Sequence, residues 1–113
     1  THDPLAMVAQ NIVGTIMRER NIINVQQVLT RFNMTSRSLE RLFEKYIGVT
    51  PKWVIQRYRL HEAVEMIKSN TEISLTRLAL DLGYHDQAHF IRDFKALVGI
   101  TPSGFLLSVK KSH

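Results

Sequence analysis

An imperfect internal repeat constrains this chain more than any other feature. Phe43, Gly48 and Thr50-Pro51 recur as Phe94, Gly99 and Thr101-Pro102, 51 positions later. Arg41 recurs as Arg92 at the same offset. Upstream, Leu29 and Asn33 align with Ala79 and Gly83 at an offset of 50, so the second copy's turn is one residue longer. A repeat on this scale is one supersecondary unit used twice. Each copy reads as helix, short turn, helix, stop and new helix start. Apolar residues recur at helical spacing throughout, and no stretch alternates with the period of a strand. The predicted class is all-α: two helix-turn-helix subdomains, about seven helices, joined by a long central helix.

The second copy carries the clearest signals. Ser74 is a good N-cap, and Ile73 can pack on Leu78 as a hydrophobic staple. Gly83 supplies the left-handed backbone that ends that helix. In the next helix Phe90, Phe94, Leu97 and Val98 form one apolar stripe. The opposite stripe is Gln87 or Ala88, then Ile91, Arg92 and Lys95. It mixes an amide, a guanidinium, an ammonium and an apolar residue that the core does not claim. Such a mixture suits the floor of a DNA major groove, with its polar base edges, thymine methyls and flanking phosphates.

The rest of the chain parses in order. Asp3-Pro4 opens a support helix to about Arg20, with Leu5, Val8, Ala9, Ile12, Val13 and Ile16 as its apolar stripe. Asn24 caps a helix to Phe32, and Gln27 completes a capping box. Val25, Val28, Leu29 and Phe32 face inward there. Asn33 stands at the turn position of Gly83, and Asn tolerates left-handed backbone better than most residues. A third helix, about Ser36 to Ile47, buries Leu39, Leu42, Phe43 and Ile47. It turns Arg37, Glu40, Arg41, Glu44 and Lys45 outward, and Gly48 ends it. The central helix runs from Pro51 to Ser69, roughly 27 Å at 1.5 Å per residue. Trp53, Leu60, Ala63, Val64 and Ile67 are its predicted apolar side. Ser69-Asn70-Thr71 is a polar break. A last helix runs from Pro102 to about Val109, and Lys110-Lys111-Ser112-His113 is a basic tail expected to fray. The subdomains are then residues 1–50 and 70–113, with 51–69 as the linking helix.

Composition bounds the function. A chain of 113 residues, 44% hydrophobic, holds one domain or two very small subdomains. It has no cysteine, which excludes disulfides and thiolate metal sites and fits a cytoplasmic protein. No apolar run approaches the length of a bilayer span, so no membrane partner is expected. Fifteen Lys and Arg against ten Asp and Glu leave a net charge of +5, which favours a polyanionic partner. The chain begins at Thr rather than Met, as expected of a piece of something longer.

Ala79, Gly83, the ring of Tyr84, His89-Phe90, Arg92, Phe94-Lys95, Gly99 and Thr101-Pro102 resemble the second helix-turn-helix of the AraC/XylS transcription regulators. Ser36, Leu39, Arg41, Phe43, Gly48, Thr50-Pro51, Arg59-Leu60 and Ala63 resemble the first. The resemblance covers about Asn24 to Phe105. It departs at Leu29, where the family usually has Ala, and at Asn33, where it usually has Gly; both bear on how the first unit's helices cross.

The resemblance implies double-stranded DNA as partner and puts base-reading positions on Arg37, Glu40 and Arg41, then on Gln87, Ala88, His89, Ile91 and Arg92. Their chemistry sorts them. Arg41 and Arg92 can fork onto guanine or clamp a phosphate; Gln87 suits adenine; Ala88 and Ile91 suit thymine methyls. Arg37, near its helix start, can grip a base or the backbone. Glu40 can accept from cytosine N4, or simply balance its basic neighbours. Lys45, Lys52, Ser74, Thr76 and Lys95 are phosphate candidates, at or near helix ends. Readers held about 34 Å apart would meet successive turns of the major groove. The family further implies a separate effector-binding or dimerisation domain in the intact bacterial protein and activation through contact with RNA polymerase; no cofactor is expected.

Three other readings compete. His85 and His89, with Asp86 between them, hint at a metal pair, but a third ligand is missing. An enzyme needs a nucleophile with a base or paired carboxylates, and the acids here are scattered among basic neighbours. A helical protein-interaction module would use Ile91 as an interface residue and treat the positive charge as incidental. Against it stands the repeat of Arg at one outward position of both units.

Overall fold

The computed structural model describes residues 3–112. Its helices are α1 (Pro4–Arg18), α2 (Val25–Phe32), α3 (Ser36–Tyr46), α4 (Pro51–Ser69), α5 (Leu75–Asp81), α6 (Gln87–Val98) and α7 (Pro102–Lys111). Among the described residues there is no strand, and the all-α expectation holds. The chain divides into two compact units, Thr1–Tyr58 and Arg59–His113, with the boundary inside α4.

In the first unit, α1 packs on α2 and α3. Asp3 caps α1 by accepting from the Leu5 amide at 2.9 Å, with Pro4 at the first helical position. The Tyr46 hydroxyl donates to the same carboxylate and, with the Leu5 amide, holds it below the usual range. The helix stops at Arg18, short of the expected Arg20, because Glu19 leaves it in extended conformation. The Glu19 carboxylate instead accepts both guanidinium nitrogens of Arg31 on α2, each at 2.5 Å. Two of the predicted inward residues are out: Leu5 and Val8 are 53% and 40% exposed. The stripe is apolar from Leu5 onward, but the unit covers it only from Ala9. Thr15 joins Ala9, Ile12 and Ile16 in the interior, its hydroxyl satisfied by the Asn11 carbonyl at 2.9 Å.

The local signals of the first helix-turn-helix are met. Asn24 accepts from the Gln27 amide at 2.9 Å, and the Gln27 side chain returns a bond to the Asn24 amide at 3.1 Å. Asn24→Ala is expected to cost about 1 kcal/mol, read as a lowered urea midpoint with an unchanged slope. Asn33 sits at φ 52°, ψ 51°, the left-handed conformation that ends α2. Thr35 accepts from the Ser38 amide at 3.1 Å and starts α3. Leu39, Leu42 and Phe43 are buried with Val28, Val54 and Ile55.

The long helix α4 runs over the predicted residues but does not use one apolar side. Its first half buries Val54 and Ile55 in the first unit, while Trp53 is 48% exposed with the Arg57 guanidinium 5.5 Å from its ring. Its second half buries Leu60, Ala63 and Ile67 in the second unit. A single stripe drawn through Trp53 and Leu60 assumes one partner along the whole helix; each half has its own.

In the second unit, α5 packs on α6 and α6 on α7. Ser74 caps α5 through the Arg77 amide at 3.2 Å. After α5, Gly83 takes φ 93°, and the Tyr84 amide donates back to the Ala79 carbonyl at 3.0 Å. That reversal needs a residue without a Cβ penalty at positive φ. Asp86 then caps α6 through the His89 amide at 2.8 Å. Phe90, Phe94 and Phe105 form a run of rings, with centroids 5.8 and 5.9 Å apart. The final helix does not stop at Val109. It includes Lys110 and Lys111, where cations sit favourably at the negative end of a helix, and Val109 packs on the core. Those lysines are therefore helical rather than frayed; His113 lies outside the described residues.

Candidate nucleic-acid interface

The sequence-predicted readers fall on the two helices that follow the turns. Arg37, Glu40 and Arg41 are exposed on α3, and Gln87, Ala88, Ile91 and Arg92 are exposed on α6. Ile91 is 39% exposed, so the second unit's core does not claim it. Among the described residues neither Arg41 nor Arg92 is held in an ion pair, which leaves both guanidinium forks available. Glu40 accepts from the Ser36 hydroxyl at 3.2 Å instead of pairing with Arg37.

His89 stands apart from the others. It is half-buried, with Nε2 3.5 Å from an Asp93 oxygen and its ring edge-on to Tyr84 at 5.5 Å. The Tyr84 hydroxyl donates to the same Asp93 oxygen at 3.0 Å. Burial first, then the neighbouring Asp93 carboxylate, pushes the Tyr84 phenol well above its ordinary pKa, so it remains a neutral donor. This cluster ties the turn residue Tyr84 to α6. Sequence reading missed Asp93; the i, i+4 spacing of His89 and Asp93 was the available signal. It also missed the caps Thr35 and Asp86, each a short polar residue directly before a helix.

The phosphate candidates are varied in their surroundings. Lys45 and Lys95 lie exposed in the last turns of α3 and α6, with the Lys45 ammonium 5.2 Å from the Tyr46 ring centre. Lys52 borders a cavity of about 420 Å³, which Glu40, Glu44, Val25, Leu39 and Val49 also line. Ser74 is occupied as the cap of α5, and the Thr76 hydroxyl accepts from the Gln87 side-chain amide. Among the described residues no three His, Asp or Glu side chains gather as metal ligands, and no helix is long and apolar enough to cross a membrane.

Comparison with known proteins identifies the family. A family model for a helix-turn-helix domain matches residues 28–108. A probable AraC family transcriptional regulator from Rhodopseudomonas palustris has a similar solved structure, with TM-score 0.70 and 25% identity over 95% of this chain and 98% of that one. This chain belongs to the AraC/XylS family of transcription regulators. It is a helix-turn-helix DNA-binding domain of that family, not an enzyme. The XylDLEGF operon transcriptional activator of Pseudomonas putida is 33% identical over 82% of this AraC/XylS chain and 29% of its own length. The transcriptional activator AarP of Providencia stuartii is 30% identical over 78% of this chain and 64% of its own. The chain spans 33%, 13% and 28% of the length of three other curated regulators that it matches.

Proposed function

We propose that this AraC/XylS domain binds duplex DNA sequence-specifically, with α3 and α6 as reading helices in successive major grooves. The observation that carries this reading is the exposed, unpaired arginine at one repeat position of both units, Arg41 and Arg92. Arg37, Glu40, Gln87, Ala88 and Ile91 complete the readers, and His89 flanks the second of them. Lys45, Lys52, Ser74, Thr76 and Lys95 fix register on the phosphates, which carry no sequence information themselves. The intact protein is a cytoplasmic transcription activator with a separate effector-binding or dimerisation domain, and it works by touching RNA polymerase; relatives named as activators support that role.

In vitro selection from random duplexes tests the reading. Enrichment of one motif with affinity that falls steeply with salt is expected, because bound phosphates release counterions. Recovery of no motif, or salt-independent binding, would contradict it and favour a protein-interaction module. Lys95→Ala should weaken every duplex by a similar factor and flatten the salt slope by about one unit, measured by fluorescence anisotropy at several salt concentrations. A changed base preference would move Lys95 out of the phosphate class.

A further inference from the structure

We propose that Thr76 is a specificity-determining positioning residue: it holds the Gln87 amide so that α6 reads adenine at one base pair. The inference rests on the reading of α6 as a recognition helix. Gln87 is the first residue of α6, and its Nε2 donates to the Thr76 hydroxyl oxygen on α5. A primary amide carries two N–H donors and one acceptor oxygen. With the N–H anti to Oε1 given to Thr76, the syn N–H and Oε1 remain as a pair. That pair matches the major-groove edge of adenine, which offers N7 as acceptor and N6–H as donor. A glutamine with a free side chain samples many rotamers and loses that freedom on binding. Thr76 removes part of that loss in advance and selects the orientation of the amide.

The internal repeat supplies a control for the bland alternative, that this bond merely closes the fold. The equivalent positions in the first unit are Gln26, at the offset of 50, and Ser36, the first residue of α3. There Gln26 reaches Thr30 in its own helix at 3.5 Å, and Ser36 bonds to Glu40 in its own helix at 3.2 Å. The first unit thus builds the same helix pair without a bond between these two side chains. Both Thr76 and Gln87 are exposed, so the link lies on the surface rather than in the core.

The test measures binding of the 113-residue chain to its selected duplex and to variants permuted at each base pair. Gln87→Ala should abolish adenine preference at one position. Thr76→Val, which keeps the branched shape, should cut that preference by about tenfold, within the range of a bidentate base contact. Thr76→Ser should restore it, and Thr76→Val added to Gln87→Ala should change the preference no further. If Thr76→Val weakens all duplexes equally with preference intact, and adds to Gln87→Ala, Thr76 is a phosphate contact only and the proposal is overturned. If Gln87→Ala leaves every preference unchanged while salt-sensitive binding to the motif persists, the proposal fails but the DNA-binding reading stands. Loss of motif-specific binding by the unaltered chain would sink both.

Discussion

Phe94→Ala is expected to cost about 3–5 kcal/mol and to abolish specific DNA binding. Phe94 is fully buried at the middle of α6, between the rings of Phe90 and Phe105. Removing its ring leaves a cavity that neighbours on α6 and α7 fill only partly. Small folding units have little stability to spare, so a loss of this size is comparable with the whole. The consequence for function follows from geometry. Phe94 is what seats α6, and Gln87, Ile91 and Arg92 have no fixed position once that helix is loose. Urea unfolding followed by circular dichroism checks the first effect, and anisotropy with the selected duplex checks the second. A loss under about 1 kcal/mol would mean that α6 is held by something other than this run of rings.

Arg92→Ala should cost about 1–3 kcal/mol on the cognate duplex and relax choice at one base pair, with the fold intact. Arg92 is exposed and held in no ion pair among the described residues, so its loss breaks no ion pair there. Arg41→Ala should do the same at a different base pair, since Arg41 holds the equivalent place on α3. The pair is informative because the two readers differ around their arginines. Where α6 has Ile91 and Lys95, α3 has Glu40 and Glu44 at the corresponding repeat positions. Uniform weakening over unrelated duplexes, without change of preference, would place either arginine on a phosphate instead.

Most of the fold was legible in the residues themselves. The helix starts at Asp3, Asn24 and Ser74, and the stops at Asn33, Gly48, Gly83 and Gly99, are local choices made by backbone sterics and capping bonds. Stripe periodicity found Leu39, Phe43, Phe90 and Phe94. It failed at Leu5, Val8 and Trp53, because a helical stripe shows which side chains can be buried and not which are covered. Thr15 was missed for the converse reason: its hydroxyl finds a partner within its own helix, so burial costs it little. The end of α7 was misjudged because charge suggested fraying, whereas Lys110 and Lys111 suit a helix C-terminus. For the candidate site, the outward positions on α3 and α6 followed from the repeat and the apolar stripes. The bonds between Tyr84 and Asp93, and between Gln87 and Thr76, did not, since they join side chains across a turn whose path the residues alone leave open.

Hydroxyl-radical footprinting of the selected duplex, at saturating concentrations of the chain, tests the two-reader claim most directly. The expected pattern is two protected stretches about ten base pairs apart on one face of the helix. Arg41→Ala should weaken one stretch and Arg92→Ala the other. A single protected stretch at saturation, indifferent to Arg41→Ala, would contradict the claim that both units read DNA.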